Sequence, residues 1–230
     1  MTIKQEQTSA LNGDRRRRQW TLFLSILIVA VAVLVAVPNL RHLVLRAAGW
    51  ALVASDPEEP ADIIVIAVDA GSAGVLEASD LIHRGIATRV AVFAESPDPL
   101  QPEFAKRGLP QSNQAARSIR LLNALGVRAT EEISPIPSGT EEEAQILPRW
   151  CDQNGFQTII FVSTPDHSRR TRRALHRSMS GHKTRVLVRY STYSSFNPDS
   201  WWLTRDSVRT ELIESEKLLL DVLRHPLSGY

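Results

Sequence analysis

The sequence predicts a three-layer α/β domain, a Rossmann-like parallel sheet carried behind an N-terminal transmembrane helix. Three observations point there. Residues 20–37 form an uncharged apolar run, short β-rich runs alternate with helical stretches across residues 61–224, and the run from Ile159 ends in the hydroxyls of Ser163 and Thr164 where a helix then begins.

Taken in order, residues 1–19 form a basic tail with Lys4 and Arg15 to Arg18. The segment from Trp20 to Val37 has no charge and, at about 1.5 Å per residue, reaches roughly 27 Å, close to the hydrocarbon core of a bilayer. Its basic flank lies upstream, so the N-terminus is expected in the cytoplasm and the bulk of the chain outside it, at the inner (plasma) membrane as a single-pass protein. A cleaved signal peptide fits less well, because Val35-Ala36-Val37 is followed directly by Pro38 at the place a protease would cut. Residues 38–60 are expected as a juxtamembrane stalk and linker: leucines, valines and Trp50 alternate with Arg41, His42 and Arg46, and Asp56-Pro57-Glu58-Glu59-Pro60 then breaks the helix.

Residues 61–230 are expected as one extracytoplasmic domain. Strands are expected at Ile63 to Val68, Arg89 to Ala94, Thr158 to Val162 and Thr184 to Val188, with a fifth near Ala129 to Ile133. Helices are expected near 72–84, 112–125, 141–154 and 166–179, and a long one near 205–224. Such β-α-β units are right-handed and their strands parallel, so ligands are expected beyond the carboxyl ends of the strands.

Composition narrows the function. The pI of about 8.9 comes from the tail, since 22 basic and 23 acidic residues remain beyond residue 19; a nucleic-acid-binding surface is not supported. Cys151 is the single cysteine, which excludes an internal disulfide framework and a cysteine-based zinc site, and the histidines outside the crevice show no metal-ligand spacing.

Three segments carry candidate chemistry. Asp69 and Gly71 follow the first strand in a turn without the full G-x-G-x-x-G fingerprint, so Gly71 serves either ligand approach or the turn's own geometry. Thr140 opens a helix, with Glu143 three residues on completing a capping box, and Glu141 and Glu142 complementing the helix dipole. The strip from Ile159 to Arg170 ends a strand in Ser163 and Thr164, places Thr164 as cap and Pro165 at the first helical position, and brings His167 and Arg170 to the crevice. A histidine there is suited to general acid–base work, and a helix start favours its neutral form. Arg169, Arg172, Arg173 and Arg177 read as a solvated basic or membrane-facing surface. The aromatic loop from Tyr190 to Trp202 either covers the crevice or packs against the final helix.

With these residues in this order, the chain resembles the bacterial envelope family of unknown-function domains that includes SanA, ElyC and YdcF. The resemblance spans about residues 60–224. It rests on Gly71 after the first strand, on Thr140, Glu142 and Ala144 in the family's S-x-x-T-x-E-N-A segment, and on Val162, His167 and Arg170 in its V-T-S-x-Y-H-x-x-R strand end. Pro137, Glu143 and Asp166 depart from those patterns. Either Glu211 or Glu214 stands where a last-helix glutamate is typical. The resemblance implies a Rossmann-like envelope domain, linked in some members to peptidoglycan or lipid-carrier metabolism and in one branch to adenosylmethionine, and leaves cofactor and reaction open.

Two functions are carried forward. One is a membrane-tethered enzyme acting on an anionic envelope precursor, a polyprenyl- or sugar-linked phosphate. There His167, Arg170 and Glu142 would be catalytic, with Asp69, Gly71, Thr140, Ser163 and Thr164 binding ligand. The other is a non-catalytic envelope binding or scaffold module.

Overall fold

The structure is a computed structural model and describes residues 19–26, 28, 33, 36–94, 100–108 and 113–226. The expected basic tail and much of the expected span at 20–37 lie outside those residues. Among the described residues, no helix is long and apolar enough to cross a membrane. The chain divides into two compact units, residues 1–47 and residues 48–230.

In the second unit, β1 (Ile63–Ile66), β2 (Val90–Phe93), β3 (Thr130–Ile133), β4 (Thr158–Ser163) and β5 (Arg185–Tyr190) form one sheet in the order β3-β2-β1-β4-β5. Every pairing is parallel, with Ile64 opposite Val90 on one side of β1 and opposite Ile160 on the other. The central strands are covered on both faces, and Ile63, Ile64, Val65, Ile159 and Ile160 are fully buried, which is why these runs are continuously apolar. β3 is an edge strand and keeps Glu131 and Glu132 at its rim, where Glu131 pairs with Arg89 at 2.7 Å.

The helices are α1 (Pro38–Ala51), α2 (Gly71–His83), α3 (Gln101–Lys106), α4 (Gln114–Ala124), α5 (Thr140–Asn154), α6 (Pro165–Ser178) and α7 (Arg205–Arg224). α2 and α4 pack together on one face of the sheet; α5 and α6 pack together on the other, and α7 lies over α6. The three-layer α/β architecture expected from the sequence is therefore present, in the strand order of the Rossmann-like fold. The short α3 was not expected.

The stretch expected as a linker is stitched to the domain. Asp56 is buried; its N–H donates to the Val188 carbonyl at 2.8 Å, its carboxylate accepts from the Val188 N–H, and Arg172 pairs with it at 2.9 Å. Glu58 pairs with Arg189 and Arg84, and Glu59 with Arg185. The acidic run thus neutralises the arginines along β5. Upstream, Leu52, Val53 and Ala54 are buried against α6, where the Leu52 carbonyl accepts from the Arg169 N–H at 3.0 Å.

Candidate functional site

In a sheet ordered 3-2-1-4-5 the chain reverses direction between β1 and β4, and the crevice between their carboxyl ends is where such folds bind ligands. A hollow of about 300 Å³ lies there. The turn after β1 supplies Val68 and Asp69, the start of α5 supplies Gly139, Thr140 and Glu143, α6 supplies His167 and Arg170, and α7 supplies Lys217.

Asp69 is held by the end of β4. The Ser163 hydroxyl donates to its Oδ2 at 3.2 Å and the Thr164 hydroxyl at 3.0 Å. The same oxygen stands 3.4 Å from His167 Nδ1. Ser163 and Thr164, expected to touch ligand, therefore position the carboxylate. Thr164 is the N-cap of α6 by backbone geometry, but its hydroxyl does not cap the helix, since it turns to Asp69. Pro165 opens α6 as expected.

His167 is partly exposed, with carboxylates on several sides: Asp69 at Nδ1, and Asp166 and Glu214 at 3.2 and 3.6 Å from Nε2. Arg170 Nη2 approaches Nδ1 at 3.2 Å. A guanidinium only donates, so in this arrangement Nδ1 accepts and the neutral ring carries its proton on Nε2, toward Asp166 and Glu214. If the ring takes a second proton, Nδ1 meets Asp69 as acceptor. Burial pushes the Asp166 carboxyl above its ordinary value, against the opposing pull of His167 and Thr164.

Of the two glutamates left open in the last helix, Glu214 reaches the site. It accepts from Arg170 Nη2 at 3.0 Å and from Lys217 at 2.7 Å, and is almost wholly buried. Burial opposes its ionisation, but Lys217, His167 and Arg170 together outweigh that and hold its carboxyl below the ordinary range. Glu211 is buried one turn earlier, and burial pushes its carboxyl up, with Asp166 adding to the shift.

Three expectations need correction. Gly139, not Thr140, is the N-cap of α5, and no side chain caps it, so the expected capping box does not form. Glu143 instead is buried and accepts the Val68 N–H at 2.7 Å, tying α5 to the turn that carries Asp69. Glu142, expected as catalytic, is exposed and off the hollow; it accepts the Ser138 N–H at 2.8 Å, which holds its carboxyl low. One helical position separates the two glutamates by about 100°, enough to exchange a pocket face for a solvent face.

Gly71 does not line the hollow. Its φ of 47° is what the turn needs, whereas at Gly74 a Cβ would come within 2.6 Å of Ile66 Cγ2, so Gly71 serves the turn and Gly74 the packing of α2 onto β1. The arginines of α6 are not a free basic face. Arg173 and Arg177 pair with Asp221, Arg172 with Asp56, and Arg169 donates to the Val53 carbonyl at 2.7 Å. The aromatic loop does not line the hollow either: Tyr193 donates to Asp80, Thr192 to Glu77, and Trp201 is buried beside Gly49 and the start of α7.

Lys217 and Glu143 were missed by sequence reasoning, although the i, i+3 pair Glu214–Lys217 on the final helix is a signal for the first. Among the described residues, no three His, Cys, Asp or Glu side chains are gathered to hold a metal ion. The hollow can therefore offer a proton carrier at His167, two carboxylate acceptors at Asp69 and Glu143, and two cations at Arg170 and Lys217. No family model and no curated protein matches this chain.

Proposed function

We propose that the chain is a single-pass cell-envelope protein, anchored through residues 20–37 with its N-terminus in the cytoplasm. Its extracytoplasmic domain binds and acts on an anionic envelope precursor, a polyprenyl- or sugar-linked phosphate. Support for the site comes from one observation above all: Asp69, Thr140, His167 and Arg170, drawn from three separate segments, line one hollow at the switch point of the sheet. Support for the anchor is the uncharged run from Trp20 to Val37 behind four arginines. The resemblance to the envelope family of SanA, ElyC and YdcF is consistent with both and is carried here as part of the proposal.

In this reading the ligand's phosphate competes with Glu214 for Arg170 and Lys217, assisted by the first-turn N–H groups of α5. Asp69 and Glu143 accept from ligand hydroxyls, and His167 carries a proton between the ligand and its carboxylate neighbours. One observation favours the second reading, a non-catalytic binding or scaffold module: both cations already have Glu214 as partner, as a purely structural ion-pair cluster would.

His167→Ala and Arg170→Ala separate the two. Each variant is tested by thermal unfolding and by complementation of a deletion strain. The catalytic reading expects His167→Ala to unfold within a few degrees of the parent and to fail to complement. Normal folding together with full complementation by both variants overturns it.

A further inference from the structure

α7 is amphipathic in the reverse sense. Its inward face carries Glu211, Glu214 and Asp221, all buried; Glu214 meets Arg170 and Asp221 meets Arg173 and Arg177 of α6, while Glu211 accepts from the Ser215 hydroxyl on its own helix. Its outward face carries Leu212, Leu219 and Leu223, which are 65, 58 and 68% exposed, flanked by Ile213 and Leu220. At 100° per residue these five side chains share a band about 120° wide. A helix that buries its acids and displays its leucines is built for surroundings other than water on that side.

The charge left on the surface of α7 selects the occupant. With Glu214 and Asp221 paired inward, the exposed charges of α7 are Arg205, Arg209, Lys217 and Arg224 against Asp206 and Glu216, a cationic balance in which Arg205, Arg209 and Glu216 fall within the apolar band and Lys217 and Arg224 border it. Leucines interspersed with Arg205 and Arg209 and bordered by Lys217 and Arg224, with Glu216 the one acid among them, suit an anionic bilayer interface. Two features of the same unit extend the stripe at the start of α7. Leu203 is 73% exposed, and Trp50 stands half-exposed with its indole N–H on Asp199 at 2.9 Å, the amphipathic placement that tryptophan takes at headgroup level.

We infer that the outward face of α7 lies on the anionic membrane surface, so that the ligand site opens at the lipid and takes a lipid-linked anion. The connection to the site is physical. A second hollow of about 340 Å³ shares Arg170 and Lys217 with the first and reaches Leu220 and Arg224, leading from those two cations to the edge of the leucine stripe. A headgroup held by Arg170 and Lys217 thus has a polar path along α7, lined by Gln145 and Arg224, that meets the leucine stripe at Leu220. This inference rests on the anchor reading of residues 20–37 and adds to it the face that meets the bilayer.

The test uses the full chain in phosphatidylglycerol vesicles with an environment-sensitive fluorophore on Leu219→Cys, and in a second preparation on Lys183→Cys, an exposed position just before β5. Cys151 is fully buried and its thiol is pushed up to about 12, so the introduced cysteine is the one that reacts. Lipids bearing a quencher in the upper acyl chain are expected to remove at least half of the emission at Leu219 and to leave Lys183 unchanged. An unquenched Leu219 probe on a chain that withstands an alkaline wash of the vesicles overturns the inference and leaves the anchor standing. Energy transfer between labelled copies, without quenching, also overturns it, because a second copy then covers the stripe. A chain stripped off by the wash overturns the anchor reading, whatever the probe shows.

Discussion

Ser168 ties the segment arriving from α1 to the helix that bears His167, and its removal offers a sharp test of how the site is held. The hydroxyl is fully buried, accepts from the Ala54 N–H at 2.8 Å and donates to the Pro165 carbonyl at 2.8 Å. Alanine at this position removes little volume but leaves a buried donor and a buried acceptor without that partner. An unsatisfied buried group costs about 1–3 kcal/mol, and the carbonyl, with two lone pairs, is the more tolerant of the two. The expected loss for Ser168→Ala is therefore about 3 kcal/mol. In a domain of this size that lowers the thermal midpoint by roughly 6–12 °C. Circular dichroism of the full chain in detergent, with Ser180→Ala in the exposed turn just after the same helix as reference, reads the difference. The reference is expected to stay within about 0.5 kcal/mol of the parent. A loss below about 1 kcal/mol at Ser168 would show that residues 52–56 are not held to α6 through this hydroxyl.

Other substitutions probe the remaining links. Gly49→Ala places a Cβ 2.5 Å from the Pro198 carbonyl oxygen and 2.7 Å from Trp201 Cδ1, so it is expected to destabilise by about 2 kcal/mol, read by the same melt; an unchanged midpoint would mean that Gly49 is not packed against Pro198 and Trp201. Glu211→Gln tests the buried acid of α7. Burial raises the Glu211 carboxyl, so the stability tied to its proton is complete below the ordinary value of 4.5 and is lost as pH rises through the folded value. The variant is expected to gain stability over the parent at pH 7 and to lose that advantage near pH 4; an advantage that is the same at both pH values refutes the assignment. Glu214→Gln leaves Arg170 and Lys217 with a weaker internal partner, so a phosphate-bearing ligand is expected to bind about tenfold tighter, by calorimetry with a short-chain polyprenyl phosphate, a difference of about 1.4 kcal/mol. Equal affinity counts against the competition between ligand and Glu214.

The sheet was legible because its strands are buried on both faces: Ile63–Ile66 and Ile159–Val162 have no polar position to interrupt them, and the helices between them are ordinary in length. The crevice was legible for the same reason, since parallel connectivity alone sends Asp69 and His167 to the same edge. What escaped was rotational. The resemblance singles out Glu142, two residues after Thr140, but on α5 it is Glu143, one position and about 100° on, that lines the hollow. Contributions from α7 escaped because Glu214 meets Arg170 across 44 residues, and sequence offers no rule for the azimuth at which a terminal helix settles. The acidic run at 56–59 read as a linker because its partners, Arg172, Arg185 and Arg189, lie more than a hundred residues downstream.

Placement of the arginines on α6 decides what α7 must look like. Residues 169–177 supply five guanidiniums within three turns, and a helix so charged cannot pack by apolar contact on the side away from the sheet. The neighbour that satisfies it must bring carboxylates, and α7 does so with Glu214 for Arg170 and Asp221 for Arg173 and Arg177. Once the inward face of α7 is committed to acids, the leucines in its sequence have only the outer face to occupy. The exposed stripe is thus a consequence of how the His167 helix is charged. That couples the site to the surface: Glu214 holds Arg170 inside the hollow, and Leu212, Leu219 and Leu223 on the same helix face outward. Any movement of α7 driven from its outer face would change the grip of Glu214 on the cation that a bound anion needs.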